Sequence, residues 1–166
     1  MNIKTAFLNG DIEEEIYMVQ PDSFKVKSLQ HLVCKLKKSI YGLKQASRQW
    51  YLKFDQVISN FGFKENIVDQ CIHHKFKESR LIFLVLYVDD ILLASDDMVL
   101  LLDTKSLLSK NFEMKDLGEA SFVIGIQIQR DRTRGILGLS QKPYIDKVLD
   151  RCGMKNCSKG DKLSLL

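Results

Sequence analysis

The chain has 166 residues, of which 45% are hydrophobic and 28% are charged, with 9 glycines and 2 prolines. This balance is typical of an ordinary folded domain and excludes a disordered, collagen-like or membrane-spanning chain. The formal net charge of +4 is unevenly distributed, because the stretch from residue 24 to residue 54 carries eight basic residues and no acidic one, which is compatible with a phosphate-bearing partner.

The first half of the chain predicts two short strands and a long helix. Residues 3–8 have the pattern of a strand, and residues 31–36 alternate polar and apolar side chains as a second strand does. From residue 45 to residue 61 apolar side chains recur at spacings of three and four, which predicts a helix that buries one face and ends at Gly62. The residues of that face are Ala46, Trp50, Phe54, Val57, Ile58 and Phe61.

Three strands and a second helix follow in the pattern. The strands are predicted at residues 71–76, 81–87 and 91–94. Asp96 or Asp97 is a good N-cap for a helix that runs to about residue 111. Its expected inward side chains are Met98, Leu101, Leu102, Leu108 and Phe112.

The last part of the chain predicts a hairpin and a third helix. Residues 121–129 and 135–139 form the hairpin strands, and Ser140 caps a helix with Pro143 in its first turn and Gly153 at its end. This order of elements predicts an α+β fold, with a small, mostly antiparallel sheet and helices packed on one of its faces. Residues 156–166 are expected to form a loose C-terminal tail.

No membrane segment or targeting signal is recognisable in the sequence. The longest apolar stretch, residues 81–94, is interrupted by two aspartates and is shorter than the ~20 residues that a membrane helix needs. We therefore expect an intracellular protein with reduced cysteines. Cys71 with His73, like the other cysteine and histidine pairs, lacks the spacing of a zinc finger or ribbon.

The most informative feature is the pair Asp89-Asp90, which interrupts two strands made almost wholly of core-type residues. Aspartate is a common turn former, so the pair by itself fits either a solvated hairpin tip or a site. Two carboxylates ~4 Å apart repel by about 4 kcal/mol near a protein surface, which invites a compensating cation. Hard oxygen ligands favour Mg²⁺ or Mn²⁺, which serve nucleotidyl transfer.

Four segments, in this order, resemble the reverse transcriptase of copia-type LTR retrotransposons. They are residues 4–10 (KTAFLNG), 39–51 (SIYGLKQASRQWY), 87–90 (YVDD) and 112–119 (FEMKDLGE), and the likeness continues through residues 125–126 (GI) and 139–141 (LSQ). It therefore covers nearly the whole chain. A lone YVDD would be a weak signal, but four long blocks in sequence are a strong one.

The resemblance implies the palm of a polymerase, with Asp89 as the shared metal ligand and Asp90 as its neighbour. The implied cofactor is Mg²⁺ or Mn²⁺, and the implied partners are an RNA or DNA primer-template and a deoxynucleotide. Tyr87 and Val88 would shape the floor under the primer end. The primer 3′ hydroxyl would attack the α-phosphate and release pyrophosphate.

The first block departs from the family pattern, which opens with Met-Asp, because Asn2 stands where the family has a catalytic aspartate. An amide brings no negative charge to a hard cation. We therefore predict that the chain is catalytically impaired or inactive. A second departure, Ser47 in place of the usual proline, is not expected to affect catalysis.

Three further residues are implied at the nucleotide. Phe7 matches the bulky family position under the incoming sugar, and Tyr41 and Gly42 match the block that faces the incoming base pair. The structural alternatives are a core aromatic on a strand for Phe7 and an ordinary turn for the other two.

The basic stretch predicts a smaller set of contacts with the nucleic acid. The expected phosphate contacts are Lys37, Lys38, Lys44 and Arg48. Such runs are also commonly solvated faces, and Trp50 and Phe54 lie on the apolar stripe of their helix, so we assign both aromatics to the core.

The resemblance implies a palm with partial fingers over residues 1–155, without a thumb or a ribonuclease H domain, as expected of a piece of a longer polyprotein. Two alternatives stay open: a non-catalytic nucleic-acid-binding module, and a relic with no function.

Overall fold

A computed structural model describes residues 1–25 and 31–156. The chain divides into two compact units, Met1–Leu117 and Gly118–Leu166. The elements of the first unit are β1 (Asn2–Ile3), β2 (Tyr17–Val19), β3 (Val33–Lys35), α1 (Ala46–Ser59), β4 (Lys64–Glu65), β5 (Ile72–Lys77), β6 (Arg80–Tyr87), β7 (Asp90–Ser95), α2 (Met98–Asn111) and β8 (Met114–Lys115), with 3-10 helices at Ala6–Asn9 and Asp22–Phe24. Those of the second are β9 (Phe122–Val123), β10 (Ile126–Asp131), β11 (Ile136–Ser140) and α3 (Lys142–Arg151).

The main sheet of the first unit has six strands in the order β4-β5-β6-β7-β1-β8. Its strand pairs are antiparallel, and the long β6–β7 hairpin pairs Ile82 with Ser95 at one end and Tyr87 with Asp90 at the other. The strand β1 therefore lies between β7 and β8, although β7 comes some ninety residues later in the chain. The predicted α+β class with antiparallel sheets is confirmed, although β2–β3 and β9–β11 form sheets of their own.

The core of the first unit forms between the two helices and alternate residues of β6. Its members include Trp50, Phe54, Ile58, Ile82, Leu84, Leu86, Leu100 and Leu108. The intervening Phe83 is 42% exposed, so the two faces of β6 differ as the period of two requires. The assignment of Trp50 and Phe54 to the core is confirmed, since these side chains are only 2% and 0% exposed.

The strand predicted over residues 3–8 is wrong beyond Ile3. Thr5 adopts a left-handed conformation with φ 51°, and the chain then turns into the 3-10 helix. The amide of Gly10 closes this turn by donating to the carbonyl of Phe7 at 3.1 Å. Phe7 thus lies on a short helix rather than on a strand.

The inward face of α2 also differs from the prediction. The Asp97 side chain caps the helix by accepting from the Leu100 amide at 2.6 Å, as predicted. However, Met98 and Leu102 are 63% and 56% exposed, while Leu100 and Thr104 are buried. A leucine-rich helix has apolar residues on more than one face, so its sequence does not single out the buried one.

In the second unit, the predicted strand over residues 121–129 is broken into β9 and β10. Ile124 and Gly125 both have positive φ, 51° and 76°, so they form a tight turn and the two strands pair with each other. The hairpin of β10 and β11 and the helix α3 are present where predicted. The predicted cap is displaced by one residue, because the N-cap of α3 is Gln141, which makes no side-chain cap hydrogen bond. The Ser140 hydroxyl still accepts from the Lys142 amide at 3.2 Å, and Gly153 follows the helix with φ 67°.

Within residues 1–25 and 31–156, no helix is both long and apolar enough to cross a membrane. The predicted tail lies, beyond Asn156, outside the described residues.

Candidate active site

The two aspartates lie at the turn between β6 and β7, where the chain reverses within a few residues. Val88 takes the left-handed conformation with φ 52°, which is unusual for a β-branched residue. Tyr87 pairs with Asp90 across the hairpin. Asp89 is half-buried and Asp90 is exposed, so both carboxylates are accessible from solvent.

Asn2 lies directly beside Asp90. The two residues pair across β1 and β7, and the Asn2 Nδ2 atom donates to Asp90 Oδ1 at 2.9 Å. Asn2 also pairs with Lys115 on β8. Opposite residues of an antiparallel pair project from the same face of the sheet, so an amide separates an acidic from a basic residue on this face.

Backbone hydrogen bonds tie β1 to the turn. The Ile3 amide donates to the carbonyl of Asp89 at 2.7 Å, and Met1 and Ile91 exchange hydrogen bonds of 2.8 Å. Ile3 itself is buried in the core. The position of Asn2 is therefore determined by the packing of its neighbour and by the strand ladder.

Tyr41 contacts the other carboxylate. Its hydroxyl donates to Asp89 Oδ1 at 2.8 Å, and its ring packs on Phe7 with the centroids 4.3 Å apart. Partial burial and the hydrogen bond to Asp89 both raise the pKa of Tyr41, so the phenol stays protonated and remains a donor near neutral pH. Gly42 follows with φ 96°, a conformation that favours glycine.

Trp50 is a site residue that sequence reasoning missed. Its indole Nε1 donates to the carbonyl of Val88 at 2.8 Å, so a buried side chain of α1 holds the turn that carries the aspartates. A tryptophan in an apolar stripe signals a core position and an N–H that needs a partner. However, the apolar pattern of α1 does not indicate which carbonyl accepts this hydrogen bond.

The predicted phosphate contacts fall into two groups. Lys38 pairs with Asp11 at 3.3 Å, and Lys53, which is not one of the predicted contacts, pairs with the same carboxylate at 3.4 Å. Their hydrogen bonds hold the pKa of Asp11 below its usual range. Lys37, Lys44 and Arg48 are exposed and form no ion pair with another described residue. The acidic stretch before the basic one therefore neutralises only part of it, and Lys27 lies outside the described residues.

The donor set at the turn fits a hard divalent cation in kind. Each aspartate has one oxygen that accepts a hydrogen bond, and no described residue donates to either Oδ2 atom. Two carboxylates with free oxygens suit Mg²⁺, which usually completes its shell with water and substrate phosphate. No third acidic, histidine or cysteine side chain joins them within the described part of the chain. The amide of Asn2 occupies the neighbouring position instead.

One protein-family model matches most of the chain. The family model described as "Reverse transcriptase (RNA-dependent DNA polymerase)" matches residues 1–162. No solved structure matches the chain.

Several curated proteins are similar to the chain. It is 51% identical over 157 residues to the "Retrovirus-related Pol polyprotein from transposon TNT 1-94" of Nicotiana tabacum, which covers 94% of this chain and 12% of that protein. It is 36% identical over 154 residues to the corresponding polyprotein from transposon RE1 of Arabidopsis thaliana, over 93% of this chain and 10% of that one. The "Putative transposon Ty5-1 protein YCL074W" of Saccharomyces cerevisiae is 31% identical over 148 residues, 89% of this chain and 48% of that protein. The chain thus spans about a tenth of the two plant polyproteins.

Proposed function

This chain belongs to the reverse transcriptase family, as a fragment of the copia type, and on that premise we propose that the Asp89–Asp90 turn is its nucleotidyl-transfer site and that Asn2 leaves this site impaired. The observation that carries the proposal is the cross-strand contact of Asn2 with Asp90. Asn2, the residue that departs from the family pattern, is thus hydrogen-bonded to Asp90, one of the two proposed metal ligands.

Asp89 and Asp90 would hold a divalent cation through their carboxylates, together with water and the phosphates of a deoxynucleotide. The bound cation would stabilise negative charge on the phosphate and favour ionisation of the attacking primer hydroxyl. Tyr87 and Val88, at the exposed end of β6, would lie under the primer terminus of an RNA or DNA primer-template.

Phe7, Tyr41 and Gly42 would line the nucleotide subsite. Support for this role comes from the ring contact between Phe7 and Tyr41 and from the hydrogen bond of Tyr41 to Asp89, which bring this pair to the aspartates. The bulk of Phe7 would exclude a ribose 2′ hydroxyl. Gly42 carries no side chain, and a Cβ built on it would have no neighbour within 4 Å, so this backbone is open to a ligand.

The Asn2 amide weakens the site for an electrostatic reason. It presents an NH₂ group to Asp90 where an aspartate would present a third carboxylate. A cation at the turn then has two anionic side chains rather than three, and its affinity and catalytic effect both fall.

Replacing Asn2 with aspartate tests the proposal without relying on catalysis. In the presence of a chelator, N2D adds a third carboxylate next to Asp90 and should lower stability by about 1 kcal/mol, or about 3 °C in Tm. Mn²⁺ should restore the loss, because binding to the folded state stabilises it. The measurement is thermal unfolding with and without Mn²⁺.

Asn60→Asp is the matched control, because it adds the same charge at an exposed residue at the C-terminal end of α1, whereas Trp50, the residue of this helix that contacts the turn, lies near its N-terminal end. It should show no Mn²⁺-dependent recovery. If N2D and N60D respond equally to Mn²⁺, the third carboxylate does not belong to a metal site.

Primer extension on a homopolymer template, with Mg²⁺ or Mn²⁺, tests the activity itself. The unmodified chain should extend primers weakly or not at all, N2D should gain activity, and Asp89→Ala should abolish any synthesis. Clear synthesis by the unmodified chain that disappears in D89A would refute the claim of impairment.

A non-catalytic nucleic-acid-binding module is the second candidate. It is favoured by the exposed cations Lys37, Lys44 and Arg48, which have no ion-pair partner among the described residues. Binding to primer-template that weakens steeply with salt, without synthesis even in N2D, would support this function. Absence of both binding and synthesis would favour a relic.

A further inference from the structure

The contact between Tyr41 and Asp89 places a protein donor on an atom that a cation would use. The Tyr41 hydroxyl lies 2.8 Å from Asp89 Oδ1, and the two residues are 48 positions apart in the sequence. Tyr41 is 48% exposed, so this hydrogen bond forms at the surface of the site and not inside the core.

The ring of Tyr41 is held from the side by Phe7. The two ring planes are inclined by 37° with their centroids 4.3 Å apart, which is a close aromatic contact. Phe7 is itself anchored on the 3-10 helix that follows β1. Packing thus orients the Tyr41 hydroxyl toward the carboxylate.

We propose that the Tyr41 hydroxyl competes with a divalent cation for the carboxylate of Asp89, and we call this the placeholder role of Tyr41. This inference deepens the proposed function and rests on it. A phenol O–H and a hard cation both draw on the negative charge of the same carboxylate, so the hydroxyl on Oδ1 lowers its affinity for a cation, and a cation that takes the lone pair used by the hydroxyl displaces it. Because Oδ2 accepts no hydrogen bond from the described residues, the competition is partial rather than absolute.

The competition couples metal binding to the nucleotide subsite. When the cation takes the lone pair of Oδ1 that the hydroxyl uses, Tyr41 loses its hydrogen bond to Asp89 and keeps its ring contact with Phe7. The ring can then move away from the aspartates. Gly42, which follows Tyr41 with φ 96°, has no side chain that would hinder this movement. In the absence of the cation, Tyr41 occupies one oxygen of the Asp89 carboxylate.

Tyr41→Phe removes the hydroxyl and keeps the ring on Phe7. The readout is Mn²⁺ affinity, measured by the loss of the electron paramagnetic resonance signal of free Mn²⁺. The expected effect follows from the usual strength of a hydrogen bond to a charged group, reduced because Asp89 Oδ2 is open in both proteins. Y41F should therefore bind Mn²⁺ about three- to tenfold more tightly than the unmodified chain. The same comparison is made in the N2D background, where the affinity is expected to be higher.

Tyr17→Phe is the matched control. The Tyr17 hydroxyl also donates to a carboxylate, Glu15 Oε2, at 3.1 Å, and Tyr17 is 53% exposed. Its loss should leave Mn²⁺ affinity unchanged. The chain has a single tryptophan, and its indole donates to Val88 next to Asp89, so paramagnetic broadening of that one N–H signal locates the ion at the turn.

The outcomes separate the two proposals. If Asp89→Ala abolishes Mn²⁺ binding but Y41F leaves it unchanged or weaker, the placeholder role is wrong and the metal site stands. If Y17F tightens binding as much as Y41F does, the effect does not come from Asp89 and the placeholder role is again wrong. If no variant binds Mn²⁺, N2D included, the metal site and the placeholder role both fail.

Discussion

Val88 is the residue with the most unusual conformation at the candidate site. Its φ of 52° lies in the left-handed region, which costs a residue with a side chain roughly 1–2 kcal/mol. The Trp50 indole holds its carbonyl, and the Ile3 amide holds the next carbonyl, that of Asp89. Hydrogen bonds from the core thus maintain a conformation that the local sequence does not favour.

Val88→Gly should therefore leave the free energy of unfolding unchanged or raise it by up to about 1 kcal/mol, since relief of the strain outweighs or balances the added flexibility of glycine. Val85→Gly, in the middle of β6, should instead destabilise the protein by more than about 1 kcal/mol. Urea unfolding followed by circular dichroism measures both. Equal losses in the two variants would show that the turn is not strained.

At the scale of elements, α1 is joined to β5 by a buried polar contact. His73 is fully buried, its Nε2 atom lies 3.0 Å from Asp55 Oδ1, and its Nδ1 atom has no partner among the described residues. A buried histidine on β5 needs this carboxylate, because an imidazole without any partner is costly to desolvate. Asp55 is therefore important for seating the helix on the sheet.

Asp55→Ala should lower the free energy of unfolding by about 1–3 kcal/mol, because both ring nitrogens of His73 then lack a partner. Asp55→Asn keeps an acceptor and should cost less. Asp103→Ala on α2 is the control, since Asp103 is exposed and makes no hydrogen bond with a described residue. A loss in D103A equal to that in D55A would contradict a specific role for the histidine contact.

The acidic and basic stretches of the first unit are connected by Asp11. Because Lys38 and Lys53 lower its pKa in the folded state, Asp11 contributes stability above its ordinary pKa near 4 and loses that contribution as the pH falls through the lowered value. Asp11→Asn should thus be less stable than the parent by up to about 1 kcal/mol near neutral pH, with the difference vanishing in acid. Denaturant unfolding at several pH values checks this, with the exposed Glu13→Gln as a variant that should track the parent throughout.

At the scale of the whole molecule, burial is concentrated in Met1–Leu117. Every buried hydrophobic residue of the described chain lies in that unit, and α3 has no buried residue. Local opening should cost least where few apolar contacts are lost. The helices and strands of the chain are therefore not expected to be equally stable.

Hydrogen exchange should be slowest in β5, β6 and β7 and in the buried turns of α1, and fastest in α3 among the three helices. Mass spectrometry of exchanged peptides resolves these segments. Amides of α3 that exchange as slowly as those of β6 would show that burial is a poor guide to stability in this protein.

Periodicity predicted the regular elements well where they are long. The apolar spacing of α1 identified its core residues Trp50 and Phe54, and the Asp97 cap of α2 was predicted from one polar residue before an apolar run. The bounds of short elements were predicted poorly. β1 has only two residues, and Thr5 and Ile124 adopt left-handed conformations that interrupt the strands predicted over residues 3–8 and 121–129. Neither residue type normally adopts that conformation, so only the surrounding structure requires it.

By itself, the sequence determined the family, the α+β class and the Asp89–Asp90 turn, because these depend on residue type and near-neighbour order. The tertiary structure alone decided which donors reach that turn. Asn2, Trp50 and Tyr41 contact it from 88, 38 and 48 residues away in the chain. Such contacts follow from how β1, α1 and the segment between them pack around one hairpin, and no local pattern records a hydrogen bond between residues that are brought together only by folding.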